Sequence, residues 1–153
     1  MNDTTQAPHE GPDEQLALPA GYVLNEYRLE RVLGGGGFGI TYLAHDTHLD
    51  CRVAIKEYVP KDLALRDGSC AVRPRSARSV KGFEWGLQRF LLESRALASF
   101  HHPGIVRVLR YFQANETAYM VMEYETGEPL HHWLVGRLPL DRATLLNIVR
   151  PLL

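Results

Sequence analysis

The sequence predicts an α+β fold, made of a five-stranded antiparallel sheet with one main helix. Short runs of apolar and β-branched residues are separated by turn-forming residues, which is typical of successive hairpins. Only the stretch from Phe83 to Ala98 repeats apolar residues every three or four positions over several turns, as a helix with one buried face does. The length of 153 residues suits one domain or one lobe of a larger one.

The five strands are expected from residue 27 onward. Their predicted ranges are residues 27–33, 40–45, 51–58, 105–113 and 118–124. The first two strands flank a glycine-rich turn, and the last two flank a turn over residues 114–117. Because each connection except the one before the helix is short, neighbouring strands are predicted to pair antiparallel.

The segment between the third strand and the helix, residues 59–82, is predicted to be irregular. It is basic, with six Lys or Arg residues against two Asp. The pair Asp67-Gly68 lies between short apolar flanks, which is the composition of a type I′ hairpin. The stretch RPRSARS, residues 73–79, is interpreted first as a solvated basic loop. The alternative is a docking or autophosphorylation segment, in which phosphate on Ser76 or Ser79 would pair with neighbouring arginines.

Helical structure is predicted again in the last part of the chain. The main helix is expected to end at His102-Pro103-Gly104, and a short helical segment is expected near residues 130–135. Asp141 is a candidate N-cap for a final helix. The apolar residues of that helix are Leu145, Ile148, Val149 and Leu152. An exposed stripe of this kind promotes association, so the isolated chain is expected to self-associate or to need a partner.

Composition excludes several function classes. A formal net charge of −1 and a hydrophobic content of 45% give no general attraction to nucleic acid, and no run approaches the ~20 apolar residues of a membrane span. Residues 1–17 are predicted to be a disordered acidic tail. Cys51 and Cys70 form no CxxC pair, so a cytoplasmic location is expected. The adjacent histidines do not suggest a metal site, because neighbouring residues do not face one point.

The glycine-rich stretch LGGGGFGITYLA, residues 33–44, raises the first functional question. A Walker A loop needs Lys directly after its last glycine, and a dinucleotide fingerprint needs a helix, whereas Gly39 is followed by β-forming residues. The remaining interpretations are a flexible surface hairpin, or a hairpin whose backbone amides fold over a triphosphate. The spacing of Gly34, Gly36 and Gly39 fits GxGxxG in the second case.

The third predicted strand carries a lysine among apolar residues. Alternation along the strand puts Lys56 on the same face as Ala54, where an ammonium group needs a phosphate or carboxylate partner. Glu93, in the middle of the predicted helix, can meet Lys56 if the helix packs on the sheet. At ~4 Å and an effective dielectric constant of about 20, such a pair attracts by about 4 kcal/mol before desolvation is subtracted. Taken singly, Lys56 is equally well explained as a strand lysine that reaches solvent. Glu93 taken singly is equally well explained as part of a solvated helix face.

Taken together, four segments resemble the N-terminal lobe of a eukaryotic-type protein kinase of the bacterial serine/threonine type. The segments are LGGGGFGITYLA, VAIKE, FLLESRALASFHHPGIVRVLRYF and AYMVMEYETGEPL. The resemblance covers residues 27–153. It implies a kinase N-lobe over residues 22–125, followed by the start of a truncated C-lobe over residues 126–153.

The resemblance also implies an ATP site. Lys56 would hold the α- and β-phosphates and Glu93 would orient it, which makes these two the predicted catalytic residues. Met122 would close the back of the adenine pocket, and Thr41 stands where the family usually has Val. The ATP-binding residues implied by the resemblance are Leu33, Gly34, Gly35, Gly36, Gly37, Phe38, Gly39, Ile40, Thr41, Ala54, Lys56, Met122, Glu123 and Glu125.

For a complete protein, the resemblance implies ATP-dependent phosphoryl transfer to protein serine or threonine, with Mg²⁺. The catalytic loop and the metal ligands would follow Leu153, so the 153-residue chain alone is expected to be inactive and to bind nucleotide weakly. Two alternatives stay open: a non-catalytic lobe that binds nucleotide or a partner kinase and regulates it, and a small-molecule phosphotransferase of kinase-like fold. The protein substrate cannot be read from these residues.

Overall fold

A computed structural model describes residues 16–150 of the chain. Most of the predicted tail and Leu152 of the last helix lie outside this range. Leu16 and Ala17 lie inside it, and the predicted end of the tail at residue 17 is wrong. Leu16 is only 9% exposed, and both residues pack against the hydrophobic core. Because these two apolar side chains pack on the core, the packed part of the chain begins before residue 18, earlier than the composition indicated.

In the described part of the chain, the main sheet contains six strands, all paired antiparallel, in the order β1-β2-β3-β4-β8-β7. A separate hairpin, β5-β6, follows β4. The strands are β1 (Val23–Leu24), β2 (Tyr27–Gly36), β3 (Gly39–Asp46), β4 (Cys51–Tyr58), β5 (Ala64–Arg66), β6 (Val72–Pro74), β7 (Val108–Ala114) and β8 (Thr117–Glu123). The predicted α+β class is confirmed, and the sixth strand is the two-residue β1 at the sheet edge.

Within residues 16–150, three helices complete the fold. They are α1 (Val80–Ala98), α2 (Leu130–Leu134) and α3 (Arg142–Val149). The apolar stripe of α1 packs on the core as its period predicted, with Phe83, Phe90 and Ser94 buried. The helix ends at Ala98, four residues before His102-Pro103-Gly104. Asp141 caps α3 as predicted, since its Oδ1 accepts a 2.7 Å hydrogen bond from the Thr144 amide.

The turns differ from the prediction in one place. The β5-β6 connection is a five-residue loop, residues 67–71, and the predicted type I′ turn at Asp67-Gly68 is wrong. The Asp67 carboxylate accepts from the amides of Ser69 (2.9 Å) and Ala71 (3.2 Å) and so organises a wider loop. A two-residue connection with positive φ at both positions, as type I′ requires, occurs instead at Asn115 and Glu116.

Strand alternation divides the main sheet into two faces. Lys56 and Tyr58 share one face, which we call the cleft face, and the Tyr58 ring packs against the rings of Phe83 and Phe90 on α1. Glu57 points to the opposite side, which we call the outer face. The hairpin β5-β6 and residues 16–22 cover the outer face. Within residues 16–150, no helix is long and apolar enough to cross a bilayer.

Candidate functional site

The glycine-rich hairpin joins β2 to β3. Gly36 pairs with Gly39, and Gly37 and Phe38 form the tip. The tip is bound to the chain that follows β4, because the amides of Val59 and Lys61 donate 3.3 Å hydrogen bonds to the carbonyl oxygens of Phe38 and Gly37. The hairpin is therefore anchored at its tip and is not a free loop.

Among these glycines, Gly39 has a steric reason for its identity. A Cβ atom at Gly39 would lie 2.1 Å from the carbonyl oxygen of Glu57, whereas one at Gly34, Gly36 or Gly37 would meet nothing within 4 Å. None of residues 34–39 has a positive φ. The glycines therefore give close approach of β3 to β4 and an open inner surface, and the left-handed backbone that glycine permits is not used here.

Two cavities open on the cleft face and share Phe38 and Lys56. The smaller, of about 340 Å³, lies under the hairpin and is lined by residues 34–39, Thr41 and Lys56. The larger, of about 560 Å³, lies between β4, the segment after it, and α1, and it includes Glu93. Together they have the size of a small-molecule site. We call these two adjoining cavities the cleft, and the predicted glycines, Lys56 and Glu93 line it.

Lys56 is half-buried on the cleft face, opposite Thr41 on β3 and Met120 on β8. Within residues 16–150, no carboxylate oxygen lies within 4.0 Å of its Nζ. The predicted ion pair with Glu93 is therefore not formed in this structure, although both side chains line the larger cavity. Glu93 is exposed on α1, where water solvates its charge and a direct partner is not required.

The distance between β4 and α1 is set by Tyr58. Its hydroxyl donates a 3.1 Å hydrogen bond to the Phe83 carbonyl oxygen, and burial raises its pKa. A Cβ atom at Gly86 would lie 2.1 Å from that hydroxyl, so a glycine is required for Tyr58 to fit against the helix. Tyr58 and Gly86 were missed by the sequence analysis. The available signal was a glycine in the interior of an amphipathic helix, where it lowers helix propensity.

The residues predicted to contact adenine line neither of these two cavities. Met122 on β8 is half-buried and pairs with Ala54 on β4. The Glu123 amide donates a 3.0 Å hydrogen bond to the Arg107 carbonyl oxygen, which anchors the end of β8. Within the described part of the chain, the Glu125 amide donates to no acceptor. That amide is therefore available to a ligand.

A buried polar cluster on the outer face was also missed. Glu57, fully buried, accepts hydrogen bonds from Tyr42, Tyr119 and Arg66. Its partners lie on three other strands, between 9 and 62 residues away along the chain. Only the position of Glu57 next to Lys56, and hence on the opposite face, was readable from the sequence.

Three curated relatives are bacterial serine/threonine-protein kinases. PrkC of Bacillus subtilis is 29% identical over 132 residues, pkn2 of Myxococcus xanthus 32% over 130, and PknA of Mycobacterium tuberculosis 36% over 124. The matches cover 83%, 84% and 76% of this chain, respectively. They cover only 17%, 14% and 25% of the relatives, so the chain corresponds to a minor part of each.

Solved structures give the same result for the fold. The structure described as "PpkA-294 apo form" superposes with a TM-score of 0.84 at 39% identity, covering 90% of this chain and 49% of that one. The kinase domain of M. tuberculosis PknI has a TM-score of 0.63 at 22% identity, covering 89% of this chain and 48% of that one, and shows a shared fold. The family described as "Protein kinase domain" matches residues 27–153. This chain therefore belongs to the protein kinase family, and it corresponds to the N-terminal lobe of the kinase fold.

Proposed function

We propose that this chain supplies the ATP-binding lobe of a serine/threonine protein kinase. In a longer protein, this lobe would hold ATP while the γ-phosphoryl group is transferred to a serine or threonine hydroxyl of a protein substrate. The observation that carries the proposal is the position of Lys56, a half-buried cation without a carboxylate partner among residues 16–150, on the wall shared by both cavities. The names of the bacterial relatives support the serine/threonine preference.

The phosphates would lie between Lys56 and the open inner surface of the glycine-rich hairpin. A multiply charged anion gives Lys56 the partner that residues 16–150 do not provide. At ~4 Å and an effective dielectric constant of about 20, each unit charge on the anion attracts the ammonium by about 4 kcal/mol before desolvation. Glu93, on the facing helix, would orient Lys56 when α1 and β4 approach each other. Kinases achieve phosphoryl transfer mainly by such positioning and charge neutralisation.

The adenine ring would pack between Leu33 and Ala54, with Met122 behind it. The backbone carbonyl of Glu123 and the backbone amide of Glu125 would bind its polar edge, and the second of these has no acceptor within residues 16–150. Phe38, which is 79% exposed at the hairpin tip, would shield the phosphates from water.

The family uses Mg²⁺ with ATP. Across residues 16–150, no three His, Cys, Asp or Glu side chains come together as metal ligands. We further propose that the 153-residue chain by itself binds nucleotide weakly and transfers no phosphate. Its self-association and its cytoplasmic location stay predictions.

The test is a titration of the chain with a fluorescent ATP analogue. Lys56→Met should weaken binding by about tenfold or more, which corresponds to about 1.4 kcal/mol or more. The matched control is Lys81→Met, because Lys81 is an exposed lysine in the first turn of α1 that lines neither cavity. Equal affinities of the two variants would contradict the assignment of Lys56. Nucleotide binding without transfer in any longer form would favour the alternative of a non-catalytic regulatory lobe.

A further inference from the structure

The buried cluster around Glu57 is a closed hydrogen-bonded unit. One carboxylate oxygen of Glu57 accepts from the Tyr42 hydroxyl (2.7 Å) and from Arg66 Nη2 (2.6 Å), and the other accepts from the Tyr119 hydroxyl (2.6 Å). Burial alone would lower the pKa of Arg66, but the adjacent carboxylate outweighs it and the pKa is raised. Through these hydrogen bonds the cluster ties β3, β4, β8 and β5 together.

The same cluster extends to residues 16–22, which precede the matched kinase domain and which we call the N-terminal strap. Arg66 Nε donates a 2.6 Å hydrogen bond to the Leu16 carbonyl oxygen, and the Leu18 amide donates a 3.0 Å hydrogen bond to the Tyr42 hydroxyl. Leu16 and Leu18 are buried in the core. Two of the three groups that bind Glu57 are therefore also bound to the strap.

A second connection closes at the other end of the strap. The Tyr22 hydroxyl donates to Asn115 Oδ1 at 3.2 Å, and Asn115 Nδ2 donates to the Tyr119 hydroxyl at 2.9 Å. Tyr119 in turn binds Glu57. All three side-chain donors to Glu57 are thus linked to the strap, directly or through one residue. Removing the strap would leave polar groups of this buried cluster without partners.

Lys56 is the next residue to Glu57 on β4, so the position of one constrains the other. Consecutive side chains on a strand project from one rigid backbone to opposite faces. Any tilt or shift of β4 that follows loosening of Glu57 moves Lys56 in the cleft. A small displacement of a charged group that binds phosphate has a large effect on the affinity for that phosphate.

We propose that the N-terminal strap is a positioning element of the nucleotide site, and that Glu57 is the positioning residue through which it acts on Lys56. This inference depends on the proposed role of Lys56 in binding phosphate. It assigns a function to a segment outside the kinase domain match. It also predicts that the effect is specific for ligands that carry phosphates.

The experiment compares the affinities of ATP and adenosine for the intact chain, for a chain that begins at residue 16, and for a chain that begins at residue 23. The chain from residue 16 should behave as the intact one. The chain from residue 23 should lose about tenfold in ATP affinity with unchanged adenosine affinity, because only ATP depends on Lys56. A merely structural role would lower the apparent affinity for both ligands equally, through a smaller folded fraction.

A conservative variant covers the case in which the shortened chain does not fold. Tyr42→Phe removes the hydroxyl that joins Leu18 to Glu57 and should lower the ratio of ATP to adenosine affinity about two- to threefold, whereas Tyr27→Phe, a buried tyrosine outside the cluster, should not. An unchanged ratio in Tyr42→Phe would overturn the inference alone. If Lys56→Met in the intact chain leaves ATP affinity unchanged, the proposed function is overturned as well.

Discussion

Lys56 and Glu57 are consecutive residues of β4, and their charged groups lie in opposite environments. Glu57 is fully buried and accepts hydrogen bonds from two tyrosines and one arginine on the outer face. Lys56 is half-buried at the wall of two cavities, and no carboxylate of the described chain pairs with it. On the outer face, protein donors bind the Glu57 carboxylate, and these bonds hold the strands of the sheet together. The cleft face leaves its charge available to an external anion.

The largest expected effect comes from opening the outer face. Arg66→Met removes the cation that pairs with a fully buried carboxylate, and should lower the free energy of unfolding by about 3–5 kcal/mol. On the cleft face, Lys56→Met should change the free energy of unfolding by about 0.5 kcal/mol or less, because no ion pair is lost. Urea denaturation of both variants measures the difference. Equal losses of stability would show that the two faces are not distinct in this way.

An intermediate effect is expected at Gly39 of the hairpin. Gly39→Ala places a methyl group against the Glu57 carbonyl oxygen and should cost about 1–3 kcal/mol of stability, with weaker nucleotide binding because β3 shifts over the cleft. Gly37→Ala meets no atom within 4 Å and is the matched control at the tip. Thermal unfolding and nucleotide titration of both variants test this. A stable Gly39→Ala variant with normal affinity would contradict the close approach of β3 to β4.

The smallest effect is a loss of stability at high pH. Burial, followed by the charge of Glu57, raises the pKa values of Tyr42 and Tyr119 above the ordinary value of about 10. The unfolded chain therefore releases these protons first. The contribution to stability is complete below a pH of about 10 and is lost as the pH rises above it, by at most about 1.4 kcal/mol per pH unit for each tyrosine.

Urea denaturation between pH values of about 8 and about 11 checks this slope. In Tyr42→Phe the decline should be shallower than in the unaltered chain, since one of the tyrosines with a raised pKa is gone. A decline of identical steepness in the two proteins would show that Tyr42 is not held protonated by the cluster.

The strands and the main helix were predictable because their patterns are local. The third strand was predicted at residues 51–58 and occurs as Cys51–Tyr58, and the α1 stripe follows from the spacing of its apolar residues. The loop at residues 67–71 was not predictable from Asp67-Gly68, because the Asp67 side chain competes for the backbone amides and widens the turn.

The site was only partly predictable for a different reason. The sequence indicated that the glycines, Lys56 and Glu93 belong together, and they do line one cleft. It could not give the separation of Lys56 from Glu93, which depends on how Tyr58 fits against Gly86. Nor could it reveal the Glu57 cluster, whose members Tyr42, Arg66 and Tyr119 meet through long-range contacts. Such contacts leave no periodic signal along the chain.

The most direct test of the proposed function is hydrogen exchange of the chain with and without a non-hydrolysable ATP analogue. Binding on the cleft face predicts slower exchange in peptides that cover residues 34–41 and 122–125, with no change in the β5-β6 hairpin on the outer face. Slower exchange only in the β5-β6 hairpin, or no change in exchange anywhere at saturating nucleotide, would contradict the assignment of the cleft as the ATP site.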